Sequence, residues 1–171
     1  SVERPGRQIV VMDRLPGRPE MGALLAGHLA VRSEGRVSLP DPAGPPLVEL
    51  NQLSAPSDLD GLALVVREAL ALLRAPALRT VVGERYVDRQ GTPASTLEGD
   101  DAALRAWLPA NLGGYHHVAG SCRARVVLDD RGAVHDHDGL FVADASALAG
   151  PPRNVYAAVI RLAEAWSRRW S

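Results

Sequence analysis

Residues 113–122 read G-G-Y-H-H-V-A-G-S-C, and at this stretch the character of the chain changes. Two consecutive glycines interrupt helix and strand alike. Beyond them, short β-like runs are predicted at Arg125–Leu128 and Leu140–Ala143, and an amphipathic helix at Val155–Trp170 closes the chain. We therefore place a boundary near residue 112.

Upstream of this boundary, turn-forming residues separate short predicted strands. Gln8–Asp13 is apolar, contains two valines and an isoleucine, and is predicted to be a strand. Met21–Arg32 fits neither the helical nor the strand period, so its type stays open. Arg36–Leu39 is predicted to be a strand, and the four prolines of 40–46 make the next segment irregular.

Two helices are predicted in the first part of the chain. The clearer one spans Asp58–Leu73, with leucines and valines at helical spacing, Ser57 as its cap and acidic residues near its positive end. The second is a short helix at Asp101–Leu108.

Composition limits the function classes. The chain has 171 residues, of which 46% are hydrophobic, so it can bury a core. Its 19 basic and 20 acidic residues nearly balance, which gives no electrostatic reason to expect nucleic acid as a partner. No apolar run has the length of a membrane span, and the first residues do not resemble a signal peptide. A single cysteine excludes an internal disulfide; the compartment stays open, with the cytoplasm favoured.

Several local motifs fail as catalytic or metal sites. Adjacent histidines in a strand face opposite sides, so His116 and His117 would not chelate one ion together, and the H-D-H-D tract at 135–138 is typical of a solvated turn. Ser121 lies outside a nucleophile-elbow motif, and Cys122 is interpreted as a small buried hydrophobic residue. We predict no metal ligands, although a metal hydrolase using these clusters remains a third alternative.

One ordered set of features remains. H-H-V-A-G-S-C at 116–122 is followed by an acidic turn, by G-L-F-V-A-D-A-S at 139–146, and by Asn154 before the closing helix. Upstream stand R-S-E-G-R-V-S-L at 32–39 and L-V-E-L-N-Q-L-S-A-P-S-D-L-D-G-L at 47–62. In this order and spacing they resemble the C-terminal signature of the glucose–methanol–choline (GMC) oxidoreductases.

The resemblance implies an α+β fold in two lobes. Residues 1–112 would form a substrate-binding lobe with a mainly antiparallel sheet packed with helices. Residues 113–171 would supply the C-terminal strands and helix of a flavin-binding lobe. The implied activity is oxidation of a small-molecule alcohol to an aldehyde or ketone, with hydride transfer to FAD.

The resemblance also implies roles for individual residues. His117, three residues before Gly120, matches the family's catalytic histidine, and an imidazole suits removal of the hydroxyl proton near neutral pH. Asn154 matches the second catalytic position. The implied cofactor-binding residues are Asp144, Ala145, Val155 and Tyr156. From the residue types alone, His117 is as readily a structural histidine, Asn154 a helix cap and Asp144 a turn residue.

Two departures from the family pattern matter. Arg123-Ala124-Arg125 stands where Arg-Met-Gly is usual, and G-P-P-R at 150–153 replaces Pro-Ser-Gly. They leave a second hypothesis, a degenerate flavoprotein lobe kept for interaction or stability. In addition, no G-x-G-x-x-G follows a strand. We therefore expect an N-terminal FAD-binding segment as a partner, and this segment alone to be inactive.

Overall fold

A computed structural model describes residues 2–4, 6–78, 80–153 and 155–170, with the side chains of 2–4 excepted. The chain forms two compact units. Unit 1 comprises Ser1–Ser33 and Gln52–Gly113, and unit 2 comprises Glu34–Asn51 and Gly114–Ser171. Both helices and antiparallel strands are present, so the α+β class is confirmed. The substrate and flavin roles of lobes 1–112 and 113–171 stay predictions.

Unit 1 contains a three-stranded antiparallel sheet in the order β1-β2-β3. Its strands are β1 (Val2–Arg4), β2 (Arg7–Met12) and β3 (Ala23–His28). The strand predicted at Gln8–Asp13 is confirmed by β2. The segment whose type the sequence left open is strand β3, because β2 hydrogen-bonds along its whole length, from Arg7 opposite His28 to Met12 opposite Ala23.

Helix α1 (Pro56–Leu73) packs against β2 and β3. The prediction that Ser57 caps it was wrong: the capping position is Ala55, which makes no side-chain capping bond, and Pro56 opens the first turn. Proline is suited to that position because its missing N–H would have no partner there. The apolar stripe of α1 forms half of the buried unit 1 core, and the other half consists of Ile9, Ala94, Leu97, Leu104 and Leu108.

Asp58 in the first turn of α1 is buried, with 3% of its surface exposed. Its carboxylate accepts hydrogen bonds from the amides of Arg32 (2.9 and 3.0 Å) and Ser33 (2.8 Å) and from the Ser33 hydroxyl (2.6 Å). The Ser33 Oγ accepts in turn from the Ala55 amide at 3.1 Å. The segment after β3 is therefore attached to the start of α1.

The short second helix of unit 1 is confirmed as α2 (Asp101–Trp107). Its capping residue is Asp100, whose carboxylate accepts from the Ala103 amide at 2.9 Å. Such a cap satisfies one of the amides that the first helical turn leaves without an intrahelical partner.

Unit 2 contains a hairpin of β4 (Arg36–Ser38) and β5 (Leu47–Glu49), joined by the proline-rich loop, and ends in α3 (Val155–Ser167). A short core of Leu128, Ala147 and Trp166 lies between α3 and the loops. Cys122 is half-buried, unpaired in any disulfide, and packs against this core. In the described part of the chain, no helix is long and apolar enough to cross a bilayer.

The prediction of β-strands at 125–128 and 140–143 was wrong, because neither segment pairs in a continuous ladder. Residues 124–128 form a tight turn, in which the carbonyl of Arg123 accepts from the amides of Val126 and Val127 and Arg125 adopts a φ of 66°. Only single bridges remain, at Ala124–Leu128, Leu128–Val134 and Ala133–Phe141. At 125–128 local turn bonds replace a strand ladder, although its β-branched composition favours a strand. At 140–143 the pairing is limited to two hydrogen bonds of 2.9 Å, from the Val134 amide to the Leu140 carbonyl and from the Val142 amide to the Gly132 carbonyl.

Candidate active site

The G-S-C and D-A-S segments lie side by side in unit 2. The amide of Cys122 donates to the carbonyl of Ser146 at 2.9 Å, and the amide of Ala124 donates to that of Ala147 at 3.0 Å. A longer bond of 3.4 Å joins the Gly120 amide to the carbonyl of Ala145. Two motifs more than twenty residues apart therefore form one hydrogen-bonded layer.

Gly120 is required by the backbone of this layer. Its φ of 90° belongs to a region that side chains disfavour, and a Cβ there would lie 3.3 Å from the carbonyl oxygen of Leu148. The glycine of the G-S-C segment thus permits close approach to the loop that follows 145–147.

Asp144 caps the single 3₁₀ turn of Ala145–Ala147. Its Oδ1 accepts from the amide (2.8 Å) and the hydroxyl (2.5 Å) of Ser146. The residue is exposed, and no hydrogen bond within the described ranges involves Oδ2. An exposed carboxylate oxygen is a good acceptor for hydroxyl groups such as those of a ribityl chain, so the chemistry of this position fits a flavin cofactor.

His117 lies three residues before Gly120 and is exposed. His116, just before it, has a φ of 58°, a left-handed conformation that is uncommon outside glycine. The rings of Tyr115 and His117 are stacked, with centroids 6.4 Å apart and an interplanar angle of 26°. Partial burial raises the pKa of the Tyr115 phenol above its ordinary value of 10.0.

The remaining predicted site residues lie at the start of α3. Asn154 falls outside the described residues. Val155 is buried, with 9% exposed, whereas Tyr156 is 79% exposed, so the two side chains face different surroundings. The structure brings the segments of His117 and Asp144 together through the 120–124 and 145–147 pairing.

The metal alternative finds no support in the described ranges, where no three histidine, cysteine, aspartate or glutamate side chains cluster closely enough to hold an ion. In the H-D-H-D tract, Asp136 has a φ of 61° and His137 Nδ1 lies 3.0 Å from the carbonyl oxygen of His135. The tract is an exposed turn, as the sequence predicts.

Sequence reasoning missed two residues near these segments. One is Tyr115, whose stacking depends on the backbone turn at His116. The other is Arg123, whose guanidinium pairs with the Glu34 carboxylate at 3.1 Å, while the Asn51 side chain donates to the Glu34 carbonyl at 3.1 Å. The only available signal was the position of Arg123 directly after Cys122, because its partner is 89 residues away.

Comparison with known proteins identifies the class. The GMC oxidoreductase family pattern matches residues 31–163, and the chain belongs to this family, as a C-terminal portion. FAD is the cofactor of these enzymes. The family resemblance predicted from the motifs is thereby confirmed.

Individual relatives agree with this assignment. The chain is 34% identical over 137 residues to the 5-(hydroxymethyl)furfural oxidase of Methylovorus sp., covering 72% of this chain and 26% of that protein. Pyridoxine 4-oxidase from Mesorbium loti has a similar fold, with a TM-score of 0.77 and 22% identity over 91% of this chain and 30% of that one. The formate oxidase of Aspergillus oryzae, studied for its FAD modification, gives a TM-score of 0.71 with 20% identity, over 86% of this chain and 26% of that one. The chain thus spans about a quarter of the length of the curated relative it matches.

Proposed function

We propose that this chain is the C-terminal part of a flavin-dependent alcohol oxidoreductase. The observation that carries the proposal is the hydrogen-bonded pairing of 120–124 with 145–147, which holds His117 and Asp144 on neighbouring segments of one unit. When bound, FAD supplies the hydride-accepting redox chemistry that no amino-acid side chain provides.

In this proposal the protein positions the alcohol and handles its proton. A ring nitrogen of His117 accepts the hydroxyl proton, because imidazole is a side chain suited to general-base catalysis. Asn154 is the second polar contact to the alcohol oxygen, since an amide can donate a hydrogen bond without titrating. Asp144 and Ala145, with Val155 and Tyr156 at the start of α3, are proposed to contact the cofactor.

The proposed partner is an N-terminal FAD-binding segment. Its support is the uneven distribution of apolar side chains over the described residues. Unit 2 holds thirteen of the exposed large hydrophobic residues against six in unit 1, but only four of the buried ones against ten. An unusually exposed apolar surface marks a region that another protein segment covers.

The test joins this chain to a flavin-binding segment of the family and compares His117→Ala with His116→Ala. Suitable probes are 5-(hydroxymethyl)furfural and pyridoxine, the compounds in the relatives' names. We expect alcohol-dependent bleaching of the flavin band at about 450 nm under anaerobic conditions to be lost only in His117→Ala.

His116→Ala is the matched control, since the imidazoles of His116 and His117 are both exposed and adjacent in the chain. It distinguishes loss of a catalytic group from a general effect of removing a histidine at this place. Equal bleaching in His117→Ala and in the unsubstituted protein would remove the catalytic assignment. Absence of bleaching in the unsubstituted protein itself would favour the degenerate, non-catalytic lobe, in agreement with the altered 123–125 and 150–153 segments.

A further inference from the structure

The imidazole of His117 lies beside the aromatic ring of Tyr115. Within the described ranges, no hydrogen bond or ion pair involves this ring, and its contact is the stacked ring of Tyr115. A catalytic imidazole must be held within narrow limits of position and angle, because proton transfer from misoriented states is slow. The group that restrains this ring is therefore of direct interest for the reaction.

We propose that Tyr115 is a positioning residue for His117: its aromatic ring, stacked beside the imidazole, restrains the orientation of that imidazole. This inference rests on the proposed role of His117. Tyr115 lies two residues before His117, and neither the sequence motif nor the family match assigns it a role.

The backbone supports this arrangement. His116, between the two rings, adopts a φ of 58°, and such a conformation persists only where the surrounding structure favours it. The bend leaves the rings of Tyr115 and His117 nearly parallel, with 26° between their planes and 6.4 Å between centroids. That separation lies within the range in which aromatic rings attract one another.

The character of the Tyr115 side chain also fits a restraining role. Its pKa is raised by partial burial, so the phenol stays neutral throughout the pH range in which an imidazole titrates. The neutral phenol ring can therefore stack beside the imidazole without introducing a charge next to it.

The first measurement tests the stacking of Tyr115 on His117 and does not require an active enzyme. In the 171-residue chain, the ring protons of His117 should be shifted upfield in NMR spectra by the ring current of Tyr115. We expect Tyr115→Phe to keep this shift, Tyr115→Leu to abolish it, and Tyr86→Leu, a matched change at an exposed tyrosine of unit 1, to leave it unchanged. An unaltered His117 signal in Tyr115→Leu would overturn the proposal.

The second measurement is kinetic, in the protein joined to its flavin-binding segment, with 5-(hydroxymethyl)furfural and pyridoxine as probes. We expect Tyr115→Leu to lower kcat roughly 10-fold or more with little change in KM, because misplacement of a catalytic group mainly slows the chemical step. Tyr115→Phe should restore the rate.

The NMR and kinetic measurements together distinguish this inference from the proposed function. Loss of the ring-current shift with unchanged kcat, while His117→Ala is inactive, would refute the positioning role and leave the catalytic histidine in place. Full activity of His117→Ala would instead refute the proposed catalytic role of His117, on which this inference rests. A fall in kcat in Tyr86→Leu equal to that in Tyr115→Leu would show a general effect on the fold and would also overturn the positioning role.

Discussion

The hydroxyl of Ser33 donates a 2.6 Å hydrogen bond to the buried carboxylate of Asp58, and the amide of Ser33 donates a second at 2.8 Å. Ser33 belongs to the S-E-G-R-V segment that follows β3, and Asp58 belongs to the first turn of α1. Two sequence elements separated by 25 residues are thus joined at one carboxylate.

Asp58→Asn should destabilise the protein by about 1–3 kcal/mol. The substitution replaces an acceptor that satisfies several donors, and buried donors without partners are costly. Urea denaturation measures the change in the free energy of unfolding. Asp60→Asn is the matched control, because Asp60 is an exposed residue of the same helix, and its effect should stay within about 0.5 kcal/mol. Equal effects of the two substitutions would contradict the role of Asp58.

The same carboxylate should make stability depend on acid pH. Burial acts to raise the pKa of Asp58, but hydrogen bonds from Ser33 and Arg32 and the nearby His28 outweigh it, so the pKa lies below its ordinary value of 3.8. The native state therefore binds the proton less readily than the unfolded state. The stabilisation is complete above the unfolded-state pKa and is lost as the pH falls through the lower native pKa.

Denaturation curves between about pH 2 and pH 6 test this dependence. The stability of the unsubstituted chain should decline more steeply below the ordinary aspartate pKa than that of Asp58→Asn. Parallel declines in the stability of the two proteins would show that other carboxylates control the loss of stability at acid pH.

Gly61→Ala should destabilise unit 1, although alanine is the better helix former. A Cβ at this position of α1 would overlap the imidazole of His28, which is packed against the helix. Overpacking costs about 1–3 kcal/mol, against a gain of up to about 1 kcal/mol from helix propensity. Thermal or urea unfolding measures the balance. The double variant Gly61→Ala/His28→Ala should be less affected by the added methyl than the single variant; an equal penalty in both backgrounds would argue against the clash.

Gly132→Ala should destabilise unit 2 more than Gly139→Ala. Both glycines have positive φ, 82° and 72°, so both substitutions carry a similar conformational penalty. Only at Gly132 would the new methyl overlap the indole of Trp166, whereas at Gly139 it meets nothing within 4 Å. The difference in the free energy of unfolding isolates the packing effect, expected at about 1–3 kcal/mol. No difference would mean that the indole moves aside freely.

Much of the secondary structure was predictable because its causes are local. The spacing of apolar residues predicted α1, the local sequence predicted a short helix where α2 lies, and the H-D-H-D tract predicted a turn. The prediction at β3 stayed open, since its strand character depends on pairing with β2. The strand at 125–128 was wrong because the amides of Val126 and Val127 bond to Arg123 nearby.

By itself the sequence determined the family, the position of His117 relative to Gly120, and most helices and turns, because these depend on neighbours within a few residues. Only the tertiary structure decided that 120–124 pairs with 145–147, that Asp58 holds Ser33, and that Tyr115 stacks on His117. The first two contacts join residues more than twenty positions apart, and the third depends on a left-handed backbone at His116. The number of residues between two groups does not fix the path of the backbone that brings them together.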